Sequence, residues 1–254
     1  MAAQTGTPNS GHSPRGSAPL NGLPYTAYCL LDVIIAIDGP SGAGKSTLGK
    51  LLAKKFGLLY LDTGAMYRAV GLAVLESGTS LDDADAVARI AADCNIELVG
   101  EPDHLQIILN GRDVSTEIRT NEVGQAASKV STISEVRRIL VDHQRELGLE
   151  SKNGAVLDGR DIGSVVFPNA DIKFFLTADA EARARRRFEE DLEKGRAVSF
   201  EHTFEEIKER DHRDATRSDS PLVRAAGAIE IDTSDLSLEE VFGKMIESVE
   251  KFKG

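Results

Sequence analysis

The stretch Gly39-Pro-Ser-Gly-Ala-Gly-Lys-Ser46 constrains this chain more than any other, because it fits the spacing G-x-x-x-x-G-K-[ST] directly after a β-branched run at 33–37. Gly39, Gly42 and Gly44 can take backbone angles closed to other residues, so successive amide hydrogens converge on phosphate oxygens. Lys45 then reaches the terminal phosphates and Ser46 ligates Mg²⁺. The helical spacing of Leu48, Leu51, Leu52 and Phe56 completes a strand, a loop and a helix, context that a mere Gly-rich turn would lack. The nucleotide-phosphate site is therefore expected at Gly39, Pro40, Ser41, Gly42, Ala43, Gly44, Lys45, Ser46 and Thr47.

From Asp32 onward, apolar runs at 33–37, 58–61, 155–157, 172–176 and 229–231 alternate with helical patterns. That alternation predicts an α/β fold, a parallel sheet with covering helices. Between the second and third runs lies an excursion with its own strand signals at 96–99 and 105–109, then Asn110-Gly111, which suits a tight hairpin. Helices are expected at about 121–130 and 134–147, and capping boxes at Thr203 to Glu206 and Ser237 to Glu240 are expected to open two more. Residues 1–29 carry half of the eight prolines, no acid and Arg15 as the one cation, with no apolar periodicity, so a disordered tail is expected; a transit peptide is the alternative.

The chain contains no membrane span, and its formal charge of −11 argues against a broad nucleic-acid surface, so an anionic ligand must be held by local basic clusters. Cys29 and Cys94 are too few for a disulfide framework and have no metal-ligand spacing with His, which fits a cytoplasmic setting. Basic clusters are present. Asp158 ends an apolar run, where a carboxylate can support Mg²⁺ beside a phosphate loop, although a turn cap explains such an Asp equally well. Gly159-Arg160-Asp161 follows it at the strand's carboxyl end, where ligands of open α/β sheets bind, against the alternative of a local surface pair. Asp62 to Arg68 places polar groups on a second rim, with Met66 and Tyr67 read as core. Arg210, Arg213, Asp214 and Arg217 share one helix face, and Arg183, Arg186 and Arg187 form a further cluster. Taken singly, such runs are solvated faces; beside a phosphate loop they suit phosphoryl transfer, which is met by positioned cations.

In their order and spacing, GPSGAGKS, LDTGAMYRA, VSTEIRTNEV, LDGRDIGSVVFP and IKERDHRDATRS resemble the bacterial cytidylate kinase family, over nearly all of residues 33–251. The resemblance implies a P-loop NTPase-type core of five parallel strands (30–80 and 121–254), a lid at about 183–200 and an inserted nucleotide-monophosphate-binding lobe at 81–120. It implies transfer of the ATP γ-phosphate to CMP or dCMP by a monomer that uses Mg²⁺ and binds neither nucleic acid nor membrane. Ser128, Arg137 and Asp161 would then hold cytosine, Arg210 and Asp214 the ribose, and Arg68, Arg160 and Arg217 the acceptor phosphate. Thr63 would lie beside the nucleotide. Lys45, Arg160, Arg183, Arg186 and Arg187 would serve catalysis, and Ser46 with Asp158, through water, the metal. Rival readings are a kinase for UMP, AMP or another small metabolite, a nucleotide-dependent switch, for which the guanine-reading string N-K-x-D is missing, and an RNA-binding protein, which lacks an aromatic-rich strand motif.

Overall fold

The computed structural model describes residues 33–193 and 195–253, so the expected tail and Cys29 lie outside the described residues. Along the chain run β1 (Val33–Asp38), α1 (Lys45–Phe56), β2 (Leu59–Asp62), α2 (Thr63–Ser77), α3 (Ala84–Asp93), β3 (Ile96–Val99), β4 (Gln106–Leu109) and β5 (Arg112–Asp113). There follow α4 (Asn121–Val130), α5 (Ser134–Glu150), β6 (Gly154–Gly159), β7 (Ile172–Thr177), α6 (Ala180–Glu193), α7 (Phe200–Thr216), β8 (Ile229–Asp232) and α8 (Leu238–Lys253).

The five apolar runs form one parallel sheet in the order β2-β6-β1-β7-β8. Helices cover it, so β1 and β6 are apolar on both faces, as strands of a parallel sheet are. The chain leaves β1 with β6 on one side and β7 on the other, which opens a crevice at the carboxyl ends. Register aligns the acids there: Asp62 pairs with Asp158 and Asp38 with Gly159. Gly39 has φ 148°, and a Cβ there would lie 2.1 Å from the Leu176 carbonyl oxygen, so glycine is needed to turn the chain away from the sheet.

A second hydrophobic cluster lies beside the sheet. It gathers Val87, Ile96, Ile107, Leu109 and Val114 of the excursion with Met66 and Val70 of α2, Val123 of α4 and Leu140 of α5. The cluster thus reaches beyond residues 81–120 on both sides. Its antiparallel sheet β3-β4-β5 turns at Asn110 and Gly111, with φ 50° and 81°, the pair of positive angles that a two-residue hairpin of matching twist requires.

One capping expectation is corrected. The helix around Thr203 opens at Ser199, whose side chain accepts from His202 N, while Thr203 lies buried inside α7 with its hydroxyl on Ser199 O. At the other box, Ser237 N donates to Glu240 and Glu240 N donates back to Ser237 Oγ, which opens α8. Among the described residues no helix is long and apolar enough to cross a membrane.

Candidate active site

Gly44, left-handed at φ 86°, starts α1 without a capping side chain, so the first amides of that helix face the crevice together with its positive dipole end. Lys45 is 6% exposed and donates to Pro40 O at 2.6 Å. Burial, and then the nearby Arg160 charge, hold its ammonium well below the usual lysine range. Ser46 Oγ donates to Asp158 Oδ2 at 2.6 Å and Tyr60 OH to Oδ1 at 3.2 Å. Burial raises the Asp158 carboxyl to about 6, and Asp62 opposite adds to the rise.

The three α6 arginines expected at the site separate. Arg183 grips Asp211 with two bonds of 3.0 and 2.6 Å and donates to Ser41 O and Ala178 O, so its donors are spent within the protein. A Cβ on Gly42 would lie 3.0 Å from the Arg183 Cβ, which shows how closely α6 sits on the loop. Arg186 donates to Thr233 Oγ1 and O, and Arg187 pairs with Asp191 at 3.3 Å; both line the cleft.

On the opposite wall the side chains come from five separate segments. Arg68 of α2 donates to Ile118 O at 2.8 Å, and burial lowers its guanidinium to about 10. Arg160 Nε donates to Asp214 Oδ2 at 2.8 Å, and Arg137 of α5 forms a buried ion pair with Asp161. Arg217 stands 3.9 Å from both Asp161 and Asp214. Tyr67, read as core from sequence, packs against the second cluster yet lies only partly buried, its ring 5.7 Å from the Arg137 guanidinium carbon. Thr63 spends its hydroxyl on Asp158 O at 2.7 Å. Burial, and then Arg160, lower Arg210 to about 9.

Four polar atoms on this wall are buried without a hydrogen-bond partner: Ser128 Oγ, Arg137 Nε, Arg210 Nε and Arg217 Nη2, the last 3.9 Å from Asp161. Buried donors left without a hydrogen bond are costly, and two of these residues, Ser128 and Arg210, line an open space, which marks a place for acceptor atoms of a ligand. A cleft of about 550 Å³ joins Lys45, Ser46 and Asp158 to Arg68, Arg160 and Arg210, and a narrow extension of about 50 Å³ continues to Ser128. The loop at 39–47 and the arginine wall thus share one space rich in positive charge.

Sequence reasoning missed several contributors. Arg119 donates to Asp62 Oδ2 at 3.1 Å, Arg196 donates to Arg119 O, and Glu206 accepts from Asn121 at 2.9 Å and Gln125 at 3.0 Å. These contacts tie the second cluster to the α6–α7 side, and no linear spacing connects their members. Asp38 carried a local signal, an acid directly before Gly39 at the end of an apolar strand.

The model of the family described as cytidylate kinase matches residues 35–251. A protein named cytidylate kinase from Caldanaerobacter subterraneus subsp. tengcongensis is 52% identical over 221 residues, covering 87% of this chain and 96% of that protein. Proteins of the same name from Carboxydothermus hydrogenoformans and Bacillus subtilis are 49% and 46% identical, covering 85% of this chain and 96% of each.

Proposed function

This chain belongs to the cytidylate kinase family and transfers the γ-phosphate of ATP to CMP or dCMP, and we propose that the cleft described above performs the transfer, with the loop at 39–47 as donor site and the arginine wall as acceptor site. The observation that carries the assignment of the wall is that Ser128 and Arg210, each with a buried polar atom lacking a hydrogen bond, line the extension of the cleft, with Arg137 and Arg217 carrying two more such atoms nearby around Asp161.

The nucleophile is a phosphate oxygen, and a phosphate monoester with its second pKa near 6 is already largely dianionic near neutral pH. No general base is needed. The protein's task is to hold two polyanions in line and to meet the charge that spreads over the moving group. Loop amides and Lys45 take the donor phosphates; Arg68, Arg160 and Arg217 take the acceptor phosphate; Arg210 and Asp214 take the sugar. Arg186 and Arg187 line the cleft, Arg187 also its extension toward Ser128, whereas Arg183 positions the loop through Ser41 and Asp211. Closure of the residues around 183–200 over the cleft excludes water.

Among the described residues there is no group of three or more His, Cys, Asp or Glu that could hold a metal. The hydroxyl of Ser46 and the carboxylate of Asp158, bonded to one another at the floor of the cleft, nevertheless fit a hard cation that keeps most of its ligands as water and phosphate oxygen. Mg²⁺ held there would neutralise charge on the donor phosphates.

Base choice falls to Ser128, Arg137 and Asp161. A carboxylate accepts from the exocyclic amine of cytosine, but faces the O4 acceptor of uracil, an unpaired arrangement that costs on the order of 1–3 kcal/mol. Residues 81–120 contribute the lobe that carries the monophosphate nucleotide, and the enzyme works as a cytoplasmic monomer. Measuring ADP release with CMP, dCMP, UMP, AMP and GMP tests the reading: turnover is expected with the two cytidine acceptors well above the others, and a preference for AMP or UMP would overturn it.

A further inference from the structure

Asp161 occupies the capping position of an unusual element. Directly after β6 the chain makes a five-residue π-helical turn, Ile162–Val166, and the Asp161 carbonyl accepts from Val165 N at 2.8 Å and Val166 N at 3.1 Å. An aspartate at the head of a helical turn ordinarily accepts from the amides two or three residues beyond it. Here the Asp161 side chain caps nothing. Ile162 N and Gly163 N donate instead to Asp38 Oδ1 and Oδ2, each at 2.7 Å and each buried.

Asp38 is the last residue of β1, opposite Gly159 in register, so its carboxylate reaches from the strand that leads into the phosphate loop to the turn that follows Asp161. Glycine at 163 permits the approach, since a Cβ there would lie 3.3 Å from Asp38 Oδ2. The group is kept despite a cost: burial raises its carboxyl to about 6, and the two amides only partly oppose that rise.

We propose that Asp38 is a positioning residue for acceptor selection, capping the π-helical turn from a neighbouring strand so that the Asp161 carboxylate stays free to face Arg137 and the acceptor base. The proposal rests on the assignment of Asp161 to the base. Without Asp38, the freed amide of Gly163, the second residue of the turn and an ordinary cap donor, draws the Asp161 carboxylate toward it and away from Arg137.

The test is Asp38→Asn, which keeps the shape but replaces one acceptor oxygen by a donor. With CMP, kcat/KM is expected to fall about 5- to 30-fold, and with UMP by less than about threefold, narrowing the preference. Binding of a non-hydrolysable ATP analogue alone should stay within about twofold. In an Asp161→Asn background the same change should leave the CMP-to-UMP ratio where Asp161→Asn already set it, because both act through one carboxylate. Equal losses with both acceptors would mean that Asp38 serves the fold alone, and a further narrowing in the double variant would mean that it acts on base choice without Asp161; either result overturns the proposal. Asp161→Asn narrowing the ratio while Asp38→Asn does not would overturn this proposal only. An unchanged ratio in Asp161→Asn would remove the base assignment and this proposal with it. If Asp38→Asn does not fold, Asp38→Ser, whose hydroxyl can still accept one amide, carries the same measurements.

Discussion

The proposed donor and acceptor halves of the cleft are built on opposite plans. The donor half is one loop: consecutive amides between Gly39 and Thr47, held by strand and helix geometry, with Lys45 and Ser46 as its own side chains. The acceptor half takes Arg68 from α2, Ser128 from α4, Arg137 from α5, Arg160 and Asp161 from the end of β6, and Arg210, Asp214 and Arg217 from in and just beyond α7. Local backbone can cradle phosphate, the group common to all nucleotides, whereas telling one base from another takes side chains from several directions. Generality is therefore encoded locally and selectivity globally.

The largest effect expected is at the shared end. Lys45→Ala should lower turnover by about 10³-fold or more with every acceptor, because removing one positioned charge from phosphoryl transfer affects chemistry common to all. Its Tm should not fall, since the lysine is already held below its usual pKa by burial. A loss confined to CMP would break the division between the halves.

A smaller, selective effect is expected at Asp161. The buried Arg137 beside it makes alanine a poor probe, since a cation left unpaired in the interior destabilises by about 3–5 kcal/mol whatever the base. Asp161→Asn keeps the shape and removes the charge. It should lower kcat/KM for CMP by roughly 10- to 150-fold while UMP loses much less. Equal losses would move Asp161 to positioning phosphate and leave base choice to Ser128 and Arg137.

Asp158 separates stability from function within the donor half. Its folded carboxyl sits at about 6 against an ordinary 3.8, so the folded state prefers the proton. Stability from this group is full below about pH 4 and is lost as pH rises through 6, so at pH 8 the buried charge opposes folding. Asp158→Asn is therefore expected to raise Tm by a few degrees at pH 8, with the gain roughly halved near pH 5 and gone only below about pH 4, while turnover falls at pH 8 and at pH 5. A lower Tm at pH 8 would mean that the bonds from Ser46 and Tyr60 outweigh the cost of burial. The smallest effect is expected from deleting residues 1–29, whose composition offers no core to either half; turnover and Tm should both stay within error.

Much of the framework could be read from sequence wherever local pattern was enough. The apolar runs at 33–37 and 172–176 became β1 and β7 with one residue added to each, and the capping box at Ser237 formed its reciprocal bonds. An equally good box at Thr203 failed because Ser199, one turn earlier, had already capped α7, a competition the four-residue pattern does not contain. On the acceptor side the helical repeat placed Arg210 and Asp214 on one face correctly, yet it could not name their surroundings. Asp214 meets Arg160 from 54 residues away, Arg183 meets Asp211 from 28, and Arg137 meets Asp161 from 24.

The sequence by itself determined the phosphate loop, the alternation that makes a parallel sheet and the residue types available for an anionic acceptor, because each follows from contacts within a few residues along the chain. Only the tertiary structure decided that Arg183 is spent on Asp211 and Ser41 while Arg187 faces the cleft, that Asp38 and not Asp161 caps the turn after β6, and that Ser128 and Arg210, each with a buried polar atom lacking a hydrogen bond, line the extension of the cleft. The physical reason is that a side chain's partner is set by which segments the sheet order and the second cluster bring together. A buried charge or donor takes its role from that partner, or from the lack of one.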